Sequence, residues 1–170
     1  MATIHTLDNP SAIRVREDAI ITEAKAILDR RLFTRGRDLH SPDDVRCYLK
    51  LKLAPEPNEV FAAIFVDTRH RVIAFEVLQY GTIDAASISP RHVAQRCLAH
   101  NAAAVIVAHN HPSGNPEPSP ADYRLTERLR DALALLEIRL LDHFIVGKGL
   151  PLSIAETGYI NFSTSSCHSS

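Results

Sequence analysis

The chain has 170 residues, of which 45% are hydrophobic and 23% are charged, and this composition is typical of one soluble globular domain with a substantial core. Its 19 Lys and Arg residues nearly balance 20 Asp and Glu residues, and the net charge of -1 excludes the strong positive field of a nonspecific nucleic-acid-binding protein. No apolar run is long enough to cross a membrane and the N-terminus has no export signal, so we expect a cytoplasmic protein.

Cysteine and histidine usage narrows the kinds of site that the chain can form. The three cysteines are scattered and odd in number, which argues against a disulfide framework and against a Cys-x-x-Cys metal site. Cys47 and Cys97 fall on apolar helix faces and are expected in the core. Histidine is unusually frequent, with nine residues, so the spacing of the histidines decides whether the sequence predicts a metal site.

Helical and strand patterns alternate along the first half of the chain. Apolar residues at three- and four-residue steps predict an amphipathic helix over residues 17–32, which runs into a basic stretch at residues 30–37. Ser41-Pro42 is typical of a helix start. The apolar segment 59–66 predicts a buried strand, and residues 71–79 predict a second strand that pairs with it as a hairpin.

The second half repeats this alternation. Ser89-Pro90 opens a helix, and the apolar residues 103–108 predict a short buried strand. Four prolines then stiffen a loop, after which Ser119-Pro120 opens the longest helix, to about Leu136. Residues 139–146 predict a last strand. This order predicts an α/β (mixed α+β) fold in which helices flank a mixed sheet.

The strongest chemical signal follows the strand at residues 103–108. His109 and His111 are two residues apart on an extended backbone, so both imidazoles point to the same side. Asp122 comes eleven residues after His111, in the first turn of the next helix, where the stiff loop returns it toward the strand. Two histidines and one carboxylate leave a fourth tetrahedral position open, which is typical of a catalytic zinc.

Each of these residues also has an ordinary interpretation. A histidine at the end of a strand is commonly a solvated polar residue, and this applies to His109 and His111 taken one at a time. Asp122 stands three residues after Ser119, so Ser119-x-x-Asp122 is also a helix capping box. The metal interpretation rests on the coincidence of all these features after one buried strand.

The residues from His109 to Asp122 resemble the JAMM signature of the MPN metalloprotease superfamily, His-x-His-Pro followed by Ser-x-x-Asp. Four flanking segments resemble the RadC family of bacterial proteins. They are Asp67-Thr-Arg-His-Arg-Val-Ile, Gly81-Thr-Ile-Asp, His100-Asn-Ala-Ala-Ala-Val-Ile and Leu141-Asp-His-Phe-Ile-Val-Gly. The resemblance covers residues 41–162.

The resemblance implies an MPN-type fold with a cytidine-deaminase-like layered architecture, in which a curved mixed sheet lies between helices. It also implies one zinc ion per chain, held by His109, His111 and Asp122. In the family pattern a glutamate at the start of the first core strand acts as a base toward water. Glu59 matches that place, and Glu76, inside the second strand, is the alternative that spacing leaves open.

Two further residues have alternative roles, Ser119 through the resemblance and His143 through its place in the sequence. Ser119 would steady an oxyanion by donating one hydrogen bond, or it would serve only as a helix cap. His143, beside Asp142 in the last predicted strand, would orient a metal ligand, or it is an ordinary core or surface histidine. Spacing alone leaves both choices open.

The chain also departs from its relatives. Asn110 stands between the two histidines, where protease members of the superfamily usually carry Ser or Thr, and this weakens the case for isopeptidase activity. Full-length RadC relatives usually have an N-terminal helix-hairpin-helix region, for which residues 1–40, with Gly36 as their only glycine, are too short. We therefore expect a short form with a helical extension at residues 1–40, an MPN (JAMM) domain at 41–162 and a disordered tail at 163–170.

These observations favour a zinc-dependent hydrolase that cleaves an amide bond, peptide or isopeptide, in an unknown protein or peptide substrate. The alternative is a DNA repair or recombination accessory protein of the RadC family, with or without catalytic activity. The basic stretch at residues 30–37 supports DNA binding, and the near-zero net charge opposes it. We expect no membrane partner, and exposed strand edges would permit a homodimer.

Overall fold

The computed structural model describes residues 10–33, 42–81 and 88–160. Its elements in chain order are α1 (Pro10–Phe33), α2 (Pro42–Leu53), β1 (Val60–Val66), β2 (Val72–Tyr80), α3 (Pro90–Ala99), β3 (Ala104–Asn110), α4 (Pro120–Ala134), β4 (Arg139–Val146), β5 (Leu152–Ser153) and a 3-10 turn (Ala155–Thr157). Ser41, residues 35–37 of the basic stretch, the segment 82–84 and the tail 163–170 lie outside the described residues.

All five strands belong to one mixed sheet, in the order β2-β1-β3-β4-β5. Strand β1 is antiparallel to both β2 and β3, whereas β4 is parallel to β3 and antiparallel to β5. Strands β1 and β3 are buried along their whole length, as expected for strands that are covered on both faces. The predicted fold class, a mixed sheet flanked by helices, is confirmed.

Helices cover both faces of the sheet and produce two separate hydrophobic cores. Helix α2, with Leu28 of α1, packs on one face, where Tyr48 and Leu49 meet the alternate side chains of β1 and β3. Helices α3 and α4 pack on the other face, where Leu125 and Leu129 meet Phe61 and its neighbours. The metal-ligand candidates face the second of these layers.

The unit β3–α4–β4 determines where polar groups meet. Strands β3 and β4 are parallel neighbours, and α4 connects the end of β3 to the start of β4 across one face of the sheet. The first turn of α4 therefore lies near the carboxyl end of β3. The residues that end β3 and those that begin α4 therefore share one edge of the sheet.

The structure corrects some expectations of detail. Helix α1 begins at Pro10 rather than near residue 17, and its predicted apolar face is only partly covered, since Ile20 is 58% exposed. The prediction that Cys47 lies in the core is wrong, because it faces solvent on α2, whereas Cys97 is buried as expected. Although α1 is long, no helix in the described ranges has the apolar character that a membrane span requires.

Candidate metal centre

His109 and His111 lie at the carboxyl end of β3. His109 is the next-to-last residue of the strand, and His111 follows the strand directly. As the alternation of an extended backbone requires, both rings lie on the same side, and their Nε2 atoms are 2.9 Å apart. His109 is buried, whereas the side chain of His111 is 18% exposed. The pair thus faces a partly open edge of the sheet.

Asp122 meets the two histidines from the first turn of α4. Its Oδ1 lies 3.2 Å from Nε2 of His109, and its Oδ2 lies 3.7 Å from Nε2 of His111. Ser119 is the N-cap of α4, and its N–H and O–H both donate to Oδ2 of Asp122 while its Oγ accepts from the Asp122 N–H. The predicted capping box is therefore confirmed, and the carboxylate that it holds also faces the histidines.

Asp122 is ionised in this setting. Burial by itself would raise the pKa of Asp122, but the hydrogen bond and charge of His109, together with the hydrogen bonds from Ser119, outweigh that effect. The pKa is therefore held below the usual range of an aspartate. A negative oxygen consequently faces two imidazole nitrogens.

His109, His111 and Asp122 form a cluster that could hold a metal ion, with one ligand atom from each residue and all three atoms within 4.8 Å of one another. When both Nε2 atoms are unprotonated, their lone pairs can bind one cation placed between them. Zn–N distances of roughly 2.0–2.1 Å place tetrahedral ligand atoms about 3.3 Å apart, which is close to the observed separations. This donor set fits a divalent metal with one coordination position left open.

The loop after His111 holds this ligand through the backbone. The Nδ1–H of His111 donates to the carbonyl oxygen of Asn115 at 2.8 Å, and its backbone N–H donates to the carbonyl of Val146 at 2.9 Å. Gly147 makes the approach possible, because a Cβ at this position would lie 2.7 Å from the carbonyl oxygen of Gly114. The loop is thereby attached to the end of β4.

His143 on β4 contacts His109 on the side away from Asp122. The Nε2 of His143 lies 2.8 Å from Nδ1 of His109, and its Nδ1 lies 2.6 Å from Oγ1 of Thr126 on α4. Complete burial, with the nearby charge of His109, lowers the pKa of His143, so the ring is neutral. The structure thus places His143 against a candidate ligand, whereas the sequence left its role open.

Thr126 was not predicted as a site residue. It stands four residues after Asp122 on α4, and this spacing places both side chains on one face of the helix. Spacing of this kind was the available signal. It is weak by itself, because a buried threonine on a helix commonly bonds only to the carbonyl four residues before it.

Asn110, the residue between the two histidines, points to the opposite face and ties β3 to the segment before β1. Its Oδ1 accepts a hydrogen bond from the N–H of Val60 at 2.7 Å. Its Nδ2 donates to the carbonyl oxygens of Glu56 and Asn58 at 3.2 and 3.1 Å. The departure from Ser or Thr at this position therefore has a structural role.

Glu59 lies at the same edge of the sheet, directly before β1. Phe61 pairs with His109 across β1 and β3, and Glu59 stands two residues before Phe61. Its side chain is half-buried. Glu59 therefore lies close in the fold to the strand that carries His109.

Glu76 has a different environment. It pairs with Ala63 in the edge strand β2, two strands away from β3. Its carboxylate accepts hydrogen bonds from Arg96 at 2.6 and 2.8 Å and lies 2.7 Å from Nε2 of His100. These contacts, of which the hydrogen bond from Arg96 has the largest effect, lower the pKa of Glu76 to about 2. Glu76 is therefore engaged in an ion-pair cluster with α3.

A cavity of about 430 Å³ opens beside His111. Its walls include Pro57, Pro112 and Gly147, and the side chains of Lys50 and Lys148 also line it. This volume lies within the usual range for small-molecule and peptide pockets. The cavity lies where the segment before β1 meets the ends of β3 and β4, and His111 is the candidate ligand that lines it.

Comparison with known proteins decides the family. A family model described as RadC-like JAB domain matches residues 39–159, which include every candidate residue of the centre. The chain belongs to the RadC-like JAB domain family. The RadC resemblance is thereby confirmed, and a RadC-like JAB domain with a His-His-Asp cluster is compatible with a metallohydrolase.

Several curated relatives of this RadC-family chain are similar over most of its length. It is 56% identical over 142 residues to a UPF0758 protein of Azotobacter vinelandii and 57% identical over 142 residues to one of Stutzerimonas stutzeri, and each match covers 84% of this chain and 63% of the relative. A UPF0758 protein of Halorhodospira halophila is 60% identical over 126 residues, covering 74% of this chain and 56% of the relative. The chain thus spans less than two thirds of the length of these relatives.

Proposed function

We propose that this chain is a zinc-dependent hydrolase of the JAMM type, which cleaves an amide bond in a protein or peptide. The observation that carries the proposal is the convergence of three donor atoms, from His109, His111 and Asp122, at one sheet edge. Three protein ligands are typical of a catalytic zinc site. One zinc ion per chain held by these residues would act as a Lewis acid and lower the pKa of water toward neutrality.

Glu59 is the proposed base. Its position directly before β1, two residues from the strand partner of His109, supports a carboxylate at the metal centre. There it would accept the proton of a water molecule as the water oxygen attacks the amide carbonyl carbon, and it would return that proton to the amide nitrogen as the C–N bond breaks. Glu76 is a poor candidate for this role, because Arg96 and His100 already occupy its carboxylate oxygens.

Ser119 has two successive tasks in this proposal. Its hydroxyl donates to Oδ2 of Asp122 at 2.7 Å, which fixes the orientation of that carboxylate. To stabilise an oxyanion, the hydroxyl would have to turn away from Asp122 and donate to the substrate oxygen instead. The backbone N–H of Ser119, which donates to the same Oδ2, would keep Asp122 in place during that turn.

The cavity beside His111 supports a substrate with an extended segment. Lys50 and Lys148 line it and bring two positive charges to its wall. The carbonyl and side chains of a peptide could occupy this space while the scissile amide lies at the histidines.

The experiment uses the zinc-loaded full chain, a defined mixture of unstructured peptides and water enriched in ¹⁸O. Hydrolysis incorporates one ¹⁸O atom into each newly formed carboxyl terminus, which mass spectrometry detects. We expect labelled products with the wild-type chain and none with Glu59→Gln or His109→Ala. Labelled products that persist at the wild-type level in both variants would contradict the proposal.

A further inference from the structure

A chain of short polar contacts joins two of the candidate ligands through the interior of the protein. The hydroxyl of Thr126 lies 2.6 Å from the backbone carbonyl oxygen of Asp122 and 2.6 Å from Nδ1 of His143. The Nε2 of His143 lies 2.8 Å from Nδ1 of His109. Thr126 and His143 are 0% exposed and His109 is 1% exposed, so water does not compete for these contacts.

The proton positions in this series of contacts follow from the donors that are present. A carbonyl oxygen only accepts, so the 2.6 Å contact between Asp122 and Thr126 requires the single hydroxyl proton. The hydroxyl oxygen must then accept from Nδ1–H of His143. Because a neutral imidazole carries one proton, Nε2 of His143 is an acceptor, and the proton in its contact with His109 belongs to Nδ1 of His109.

This order of donors leaves Nε2 of His109 as the coordinating atom. That nitrogen is the one that faces His111 and Asp122. His111 reaches the same state by another route, since its Nδ1–H donates to the backbone carbonyl of Asn115 in the loop. One ligand is thus held by loop backbone and the other by buried side chains.

We propose that Thr126 and His143 are positioning residues, which hold His109 with its proton on Nδ1 and thereby set the affinity of the site for zinc. The inference rests on the metal site of the proposed function, and it does not depend on the reaction that the site performs. Partners behind a metal-bound histidine typically change metal affinity by about 10- to 100-fold when they are removed.

The first test measures the zinc dissociation constant of the full chain by competition with a chelator. Thr126→Val keeps the shape of the side chain and removes the hydroxyl, and we expect zinc to bind about 10- to 100-fold more weakly. Thr126→Ser restores the hydroxyl and should bind zinc within about threefold of wild type. Thr22→Val is the matched control, because Thr22 also bonds to the carbonyl four residues before it, at 2.8 Å, but on exposed α1.

The second test reads the tautomers directly and needs no variant that might fail to fold. Long-range ¹H–¹⁵N NMR spectra of the wild-type chain, metal-free and zinc-loaded, distinguish protonated from bare ring nitrogens. We expect His143 to carry its proton on Nδ1 in both forms, and His109 to carry Nδ1–H in the zinc-loaded form. A proton on Nε2 of His143, or equal zinc affinity in Thr126→Val and wild type, would overturn the inference.

The outcomes also separate this inference from the proposed function. If the expected tautomers and affinity changes are found and no peptide is hydrolysed, the positioning role stands and the hydrolase proposal fails. If peptides are hydrolysed and Thr126→Val binds zinc as wild type does, the hydrolase proposal stands and the positioning role fails.

Discussion

The side-chain oxygen of Asn110 accepts a 2.7 Å hydrogen bond from the backbone N–H of Val60. The same side chain donates to the carbonyl oxygen of Asn58, so Asn110 is hydrogen-bonded to the main chain on both sides of Glu59. A residue placed between the two histidines thus holds the backbone of the proposed base. Asn110 thus connects β3, which carries the histidines, to the segment that carries Glu59, although its side chain points away from the metal centre.

Asn110→Ala should lower the free energy of unfolding by about 2–3 kcal/mol, because it leaves the N–H of Val60 and two carbonyl groups without their partner. Urea denaturation measures this change. Asn115→Ala is the control, since the exposed Asn115 side chain accepts one hydrogen bond among the described residues, from the N–H of Glu117, and the substitution should cost less than about 1 kcal/mol. Equal stabilities of the two variants would show that the hydrogen bonds of Asn110 do not stabilise the fold.

Glu59→Gln and Glu76→Gln should differ in their effect on activity. Loss of the proposed base should lower the hydrolysis rate by roughly 10²- to 10⁴-fold with zinc still bound. Glu76→Gln should leave the rate within a few-fold of wild type, because the Glu76 carboxylate is paired with Arg96 on α3. Labelled-peptide assays and urea denaturation of both variants check this, and a larger rate loss in Glu76→Gln would reverse the assignment.

The ion pair of Glu76 also predicts a pH dependence of stability. Its pKa is about 2 in the folded chain, against about 4.5 when unfolded, chiefly because of the hydrogen bond from Arg96. The unfolded chain therefore binds this proton first as the pH falls, so the stabilisation is complete above about pH 4.5 and is lost toward pH 2. Since Arg96 is 37% exposed, solvent screening keeps this contribution small.

Urea denaturation of wild type and Glu76→Gln at pH 7, 4.5 and 3 measures this contribution. The difference in unfolding free energy between the two proteins should be largest at pH 7 and should shrink as the pH falls. A difference that is independent of pH would show that the carboxylate charge does not stabilise the fold.

Much of the fold was predictable because its central elements have strong local signals. The apolar runs of β1 and β3 and the Ser-Pro starts of α3 and α4 are such signals. The convergence of His109 with Asp122 followed from the strand-loop-helix order and from the JAMM resemblance. These predictions needed local pattern, chain order and a family motif, without knowledge of packing.

The missed features depend on contacts between distant residues. Nothing in the local sequence shows that Asn110 would bond to Val60, or that Thr126 would meet His143, 17 residues away in the chain. The partial exposure of the apolar residues of α1 likewise depends on how little of the sheet that helix covers. Strand β5 has two residues and follows a proline, so it carries too little pattern to be recognised.

Zinc stoichiometry tests the central claim most directly. Native mass spectrometry of the full chain with excess zinc should show one zinc ion per wild-type chain and none in His109→Ala, because that substitution removes the most buried of the three donors. At a free zinc concentration about 100 times the dissociation constant, the wild-type chain should also gain about 2.7 kcal/mol in unfolding free energy. A wild-type chain without zinc, or equal zinc binding by His109→Ala, would contradict the account.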